Sequence, residues 1–183
     1  MRRRPEDMAL AKQSSRTGSL LVALALLMPF GGAHAAVGPG AASNLRALTS
    51  QCITQAAQRF QLHPDILYAI LMVEGGTVGK DSKANKNGSY DIGLFQLNSI
   101  HRDTFKALGV SEELLRNDGC VNATAAAWHL HRTLTPEVVS KIQTEDDYLR
   151  AIALYHSATP QYNIIYAEKL RKAFSKLYAS SPK

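Results

Sequence analysis

Apolar residues recur at helical spacing along most of the chain. From Ser43, a candidate cap, they fall at Leu45, Leu48, Cys52, Ala56 and Phe60, which predicts a first helix. His63-Pro64-Asp65 opens a second, with Pro64 suited to its first turn and Asp65 to its positive end. This one carries Ile66, Leu67, Ile70, Leu71 and Val73 and stops at Gly75-Gly76. A polar stretch follows over 77–91, rich in Lys, Asn, Ser and Gly, then a short apolar segment over 93–97. Ser111 before Glu112 and Glu113 starts a short helix, and a longer one is predicted over 120–134. Thr144 with Asp147 reads as a capping box before a helix over 148–155. Thr159-Pro160 begins the last helix, with Ile165, Leu170, Phe174 and Leu177 expected on its inner side. No stretch alternates with period two for long enough to predict a sheet, so the expected fold is mainly α with one long irregular loop. Loops of that length are usually functional.

Composition limits the chain to one packed domain: 183 residues, 45% hydrophobic and 20% charged. No run approaches the ~18 apolar residues that a membrane span requires. The N-terminus reads as an export signal over residues 1–35. Arg2, Arg3, Arg4, Lys12 and Arg16 precede an apolar core over 20–30, and Ala33-His34-Ala35 gives the small-x-small cleavage pattern. The alternative is a retained anchor, disfavoured by the short core and by Pro29, Gly31 and Gly32. Residues 36–42 are then a flexible start to the mature protein, 43–178 the domain and 179–183 a loose tail. Loss of the leader lowers the net charge from +6 to +3, too diffuse to argue for nucleic acid.

Export changes the reading of the two cysteines. In an oxidising compartment Cys52 and Cys120 are expected to form a disulfide, the alternative being two separately buried thiols. No Cys-x-x-Cys or His-Glu-x-x-His pattern supports a metal, and no cofactor is expected. His129 and His131 lie two apart on a predicted helix, pointing to different sides, and read as solvated or packed residues.

Glu74 is the residue that needs explaining. It follows Leu71 by three, Ile70 by four and Leu67 by seven, so it continues the apolar stripe of its helix. A carboxylate there is desolvated and sits at the negative end of the helix, and both effects raise its pKa towards the range of a general acid. Gly75 and Gly76 are expected to leave room beside it for a ligand. Spacing alone leaves open that Glu74 is a solvated last-turn residue. Downstream, the amides and hydroxyls of Asn85-Lys86-Asn87-Gly88-Ser89-Tyr90-Asp91 stand next to an apolar segment, a mixture suited to a sugar chain.

In combination these pieces resemble a known family. Val73-Glu74-Gly75-Gly76, Asp91-Ile92-Gly93-Leu94-Phe95-Gln96-Leu97-Asn98 and Tyr155-His156-Ser157-Ala158-Thr159-Pro160 are similar to the motifs of lytic transglycosylases of the soluble-lytic type. Those are lysozyme-like domains related in fold to goose-type lysozyme. The likeness covers roughly residues 45–174. It is strongest to small exported members that accompany conjugation, type IV secretion and pilus machinery, which share an Asn-Asp-x-Cys element, here Asn117-Asp118-Gly119-Cys120.

The resemblance implies a monomeric periplasmic enzyme that cleaves the β-1,4 bond between N-acetylmuramic acid and N-acetylglucosamine in peptidoglycan. Glu74 is its implied catalytic acid and base, and a 1,6-anhydro ring its implied product. Gln96 and Tyr155 match the family's cleft residues, Tyr155 beside the acid. Ser89, Tyr90 and Asn98 are expected sugar contacts. Three departures stand out: Gly75 replaces a common Ser, Phe95 replaces Met at the expected cleft floor, and His156 replaces Asn, either substituting for it or simply exposed. A hydrolase would need a second carboxylate. Asp91 is the candidate, its alternative being a cap of the 93–96 turn. A non-catalytic peptidoglycan-binding protein on the same scaffold is the other alternative, against which the presence of Glu74 argues.

Overall fold

A computed structural model describes residues 44–179. The expected leader, the start of the mature chain, Ser43 and residues 180–183 of the expected tail lie outside them. Among the described residues eight α-helices surround one core: α1 (Ser50–Arg59), α2 (Pro64–Glu74), α3 (Arg102–Ala107), α4 (Glu112–Asn117), α5 (Gly119–Thr133), α6 (Pro136–Val139), α7 (Glu145–Ile152) and α8 (Pro160–Ala179). A mainly α, lysozyme-like architecture is what the sequence predicts, and the local signals hold. Pro64 and Gly75 bound α2, Ser111 caps α4, and Thr144 with Asp147 forms a complete capping box on α7.

Three expectations change. The first helix begins at Ser50, capped by Thr49, because the chain before it is committed elsewhere. The Arg46 N–H donates to Asn117 O (2.8 Å), and Arg46 O accepts from the Gly119 N–H (2.8 Å), tying residue 46 to the α4–α5 junction. A small antiparallel sheet exists after all, β1 (Asp91–Ile92) against β2 (Leu97–Asn98), pairing Asp91 with Asn98 and Ile92 with Leu97. Two residues per strand are too few to leave a period-two pattern. On α8 the buried face runs Asn163, Tyr166, Ala167, Leu170, Ala173 and Phe174, with Leu177 half-buried and Ile165 exposed. Counting apolar residues alone misplaced that face, because two of its members are polar.

The core centres on α5, whose Ala123, Ala126, Ala127 and Leu130 are fully buried. Its small side chains let α1, α4 and the 3-10 turn Ala153–Tyr155 pack close. A Cβ on Gly119 would stand 2.7 Å from Leu48 N, so the start of α5 admits only glycine without displacement. Next to that contact Cys52 and Cys120 form the expected disulfide between α1 and α5, 68 residues apart with Cα atoms 5.2 Å from each other. A loop of that length contributes about 4 kcal/mol in the chain-entropy account. α2 packs on α8, which in turn packs on α7. These two contacts bring the end of α2 against the first half of α8. Among the described residues, no helix is long and apolar enough to cross a membrane.

Candidate active site

α2 ends on Glu74, where Gly75 turns left-handed (φ 61°) and its N–H closes the helix on Leu71 O. The following Gly76 is pressed against the hairpin turn. Its N–H donates to Leu94 O at 3.2 Å, and an added Cβ would lie 2.1 Å from Gly93 O and 2.7 Å from Gln96 Nε2. Gly75 has open space beside it, but Gly76 does not leave room for a ligand as the sequence suggests. It admits the protein's own backbone. That contact seats the 93–96 turn beside the carboxylate.

Glu74 is half-buried and opens onto a cleft of about 790 Å³. Its Oε1 accepts a 2.5 Å hydrogen bond from the hydroxyl of Tyr166, which α8 buries to 2% exposure. Desolvation lifts the carboxyl from 4.5 to about 7. The Tyr166 hydrogen bond opposes that rise, the nearby Asp91 charge adds to it, and Lys169 works against it. Burial, with the adjoining Glu74 charge, pushes the Tyr166 phenol well above its ordinary range, so it stays a donor. The imidazole of His156 lies flat on the Tyr166 ring, with centroids 4.8 Å apart and planes 4° from parallel. His156 is thus on the cleft, exposed on one face and stacked on the other.

The expected site residues divide into two groups. Gln96, Ser89, Asn98, Asp91, Tyr155 and His156 all line the same cleft as Glu74. Gln96 adopts a left-handed conformation (φ 49°), and its Nε2 donates to Gly93 O at 2.7 Å. Ser89 Oγ donates to Asn87 Oδ1 (2.7 Å) and accepts from Asn85 and Asn98. Asn98 Nδ2 also donates to Asp91 Oδ1 at 2.7 Å across the hairpin, so Asp91 braces the two strands rather than capping the 93–96 turn.

Two others, Phe95 and Tyr90, turn away. Phe95 is fully buried in the core instead of flooring the cleft, and only its backbone serves the site. Tyr90 reaches the other way, donating to Glu112 Oε1 at 2.7 Å. Glu112 in turn holds Arg116, which pairs with Asp81 and so fastens both ends of the polar loop to α4. Tyr155 donates to Phe95 O at 2.7 Å. It lines the cleft, but the hydroxyl bonded to Glu74 is that of Tyr166.

Two side chains that sequence reasoning passed over complete the arrangement. One is Tyr166. The other is Asn122 on α5, 1% exposed, whose Oδ1 accepts from the Phe95 N–H (2.7 Å). Its Nδ2 donates to Ile92 O (3.1 Å) and Leu115 O (2.9 Å). One buried amide thereby satisfies three backbone groups and fixes the turn that carries Gln96. Both had the same signal as Glu74, a polar residue on the buried face of a helix. The cleft also receives His101 and His129, of which His129 packs on Tyr155, while His131 is exposed beside Phe60. No cluster suited to a metal ion occurs among the described residues.

A half-buried acid near neutrality, a buried phenol on it, and a groove of amides and hydroxyls make a site able to protonate a glycosidic oxygen. Comparison with known proteins agrees with this chemistry. Residues 51–169 match the family described as "Transglycosylase SLT domain". The chain is similar to "Invasion protein IagB" of Salmonella typhimurium, 35% identical over 78 residues, which cover 43% of this chain and 49% of the relative. It is also similar to "Protein IpgF" of Shigella flexneri, 32% identical over 78 residues, covering 43% of this chain and 51% of the relative. A "Peptidoglycan-binding-like protein" of Escherichia coli O157:H7 is 32% identical over 81 residues, covering 40% and 48%. Each match spans about half of the relative's length.

Proposed function

Since the chain belongs to the transglycosylase SLT domain family, whose match covers well over half of it, we propose that it is a peptidoglycan lytic transglycosylase with Glu74 as its single acid and base. Glu74 gives its proton to the oxygen linking N-acetylmuramic acid to the next sugar as the C1–O bond breaks. The resulting carboxylate takes the proton of the muramic acid's own 6-hydroxyl, whose oxygen bonds to C1 and closes a 1,6-anhydro ring. The proton Glu74 lost is returned, so no water and no enzyme nucleophile are consumed. The substrate's acetamido group assists departure, as in substrate-assisted glycosidases.

The observation that carries this reading is the state of Glu74. One group that must first donate and then accept a proton at neutral pH works best with a pKa near 7, and burial lifts Glu74 to about that value. Gln96, Ser89, Asn98, Tyr155 and His156 are the proposed sugar contacts along the groove.

The test is product analysis of digested cell wall by mass spectrometry. Anhydro-muramic ends, one water lighter than reducing ends, are expected, and Glu74→Gln abolishes them while still binding the glycan. Reducing ends alone would instead assign Asp91 the task of activating water. Equal clearing by parent and variant overturns the enzymatic reading. On this reading the enzyme is exported to the periplasm and acts there as a monomer. We assign it the local opening of the wall for a secretion, conjugation or pilus apparatus.

A further inference from the structure

A second cavity, of about 250 Å³, opens between α6, α7 and the start of α8, separate from the cleft that holds Glu74. It is smaller than the ~300–1,000 Å³ of drug-sized sites and suits a short stretch of peptide. Val138, Ile142, Ala151 and Pro160 give it apolar walls, and the exposed Lys141 and Arg150 bring two cations to it. Asp147 is the only acid in its lining among the described residues, and it is already committed. Its Oδ2 accepts from the N–H groups of Gln143 and Thr144 and from the Thr144 hydroxyl. The lining therefore carries an excess of positive charge.

The cavity is joined to the cleft by its wall. Leu154 and Ala158 line both, so a ridge of two side chains parts them. Asn163, 4% exposed, fixes this ridge: its Nδ2 donates to Arg150 O (3.0 Å) and to Ser157 O (3.1 Å), tying α7 and the segment after it to α8.

Charge and position together define an occupant. A peptidoglycan strand in the cleft carries on each muramic acid, through a lactyl ether, a short peptide of small apolar residues and free carboxylates. At about 3.4 Å per extended residue, a few residues cross a ridge one side chain wide. Carboxylates then meet a guanidinium and an ammonium, the charged donors that bind them best, and methyl groups meet the apolar walls. We propose that the cavity between α6, α7 and α8 binds the anionic peptide carried by muramic acid, with Arg150 and Lys141 taking its carboxylates. The inference rests on the glycan-cleaving reading of Glu74 and extends the substrate from the sugar chain to the peptide on it. Its consequence is a preference for peptide-bearing strands over bare glycan.

The experiment is calorimetric titration of the inactive Glu74→Gln protein with soluble peptidoglycan strands bearing uncrosslinked peptides. The same strands are titrated again after an amidase has removed the peptides. Peptide-bearing strands are expected to bind about tenfold more tightly. Adding Arg150→Gln or Lys141→Gln cuts that preference about threefold each, and both together bring it to about one. Both side chains are exposed, and Asn163 bonds to the backbone of Arg150, so the fold stands in these variants. Lys172→Gln, which removes an exposed cation further along α8, keeps the preference. Equal binding of both strands by Glu74→Gln overturns the peptide site while leaving the role of Glu74 standing. An equal loss of preference in Lys172→Gln overturns it too, since net charge alone would then drive it. Failure to bind either strand overturns the glycan reading with it.

Discussion

Replacing Glu74 by Gln should make the protein more stable, and only above a definable pH. In the folded protein the carboxyl titrates at about 7, whereas its ordinary value is 4.5. Between those values the native state keeps a proton that the unfolded chain releases. Stability therefore falls as pH rises through this window, and the loss is complete above pH 7. At 1.36 kcal/mol per unit the full shift corresponds to about 3 kcal/mol. Glu74 is only half-buried on an open cleft, so solvent screens part of this, leaving about 2 kcal/mol. Glutamine has the same shape, carries no charge and can still accept from the Tyr166 hydroxyl. Glu74→Gln should then gain about 2 kcal/mol relative to the parent at pH 8.5 compared with pH 4.5, where both side chains are neutral. For a domain of this size that is roughly 6 °C in melting temperature. Urea unfolding at the two pH values, with the disulfide intact, measures it. An advantage of equal size at both pH values, or a loss at pH 8.5, refutes the desolvated carboxylate and with it the acid at neutral pH.

Tyr166→Phe keeps the ring under His156 but removes the donor that favours the charged form of Glu74. The alkaline limb of the clearing rate between pH 5 and 9 should move up by about one unit, with turnover at the optimum about tenfold lower as the acid loses its orientation. A limb that stays put or moves down contradicts the assignment. Asn122→Ala leaves Ile92 O, Leu115 O and the Phe95 N–H without their partner. It should destabilise the protein by about 3 kcal/mol in urea and reduce cell-wall clearing through displacement of Gln96. A variant as stable as its parent would mean that the turn is held by other contacts.

Helix boundaries were legible where the signal is local. Pro64, Gly75, Ser111 and the Thr144–Asp147 pair act on backbone groups within one turn, so neighbouring residues suffice to read them. Glu74 was legible for a related reason, since a charge on an apolar stripe violates a periodic pattern. Tyr166 and Asn122 violate the same pattern more quietly. A tyrosine or asparagine in a helix is ambiguous until its partner is known; that of Tyr166 is 92 residues away, and of the three partners of Asn122 only Leu115 is near, the other two lying 27 and 30 residues away. Phe95 is expected at the cleft floor because it stands where the resembled family has Met, and Tyr90 is expected among the sugar contacts; neither lines the cleft. In the tight turn from Gly93 to Gln96, adjacent side chains face opposite ways, so Gln96 enters the cleft and Phe95 the core. The start of α1 was misread because Arg46 bonds to residues 117 and 119, a long-range commitment that no local pattern records.

The mechanism proposed above asks Glu74 to serve twice, first as acid and then as base. Burial and the Asp91 charge both raise the carboxyl, which on that proposal makes its conjugate base scarcer when the 6-hydroxyl gives up its proton. The Tyr166 hydroxyl and Lys169 pull in the opposite direction, and the balance falls at about 7. That balance needs Tyr166 within hydrogen-bond reach, which the packing of α2 on α8 provides. It also needs Asp91 held at the cleft, which Asn98 and the hairpin provide, and a turn pressed so close to the end of α2 that only glycine fits at position 76. A fold assembled for stability alone would place a leucine where Glu74 stands. The retained carboxylate, with a phenol, an opposing acid and a buried amide arranged about it, makes sense as the cost of keeping a proton that can be given and taken back at neutral pH.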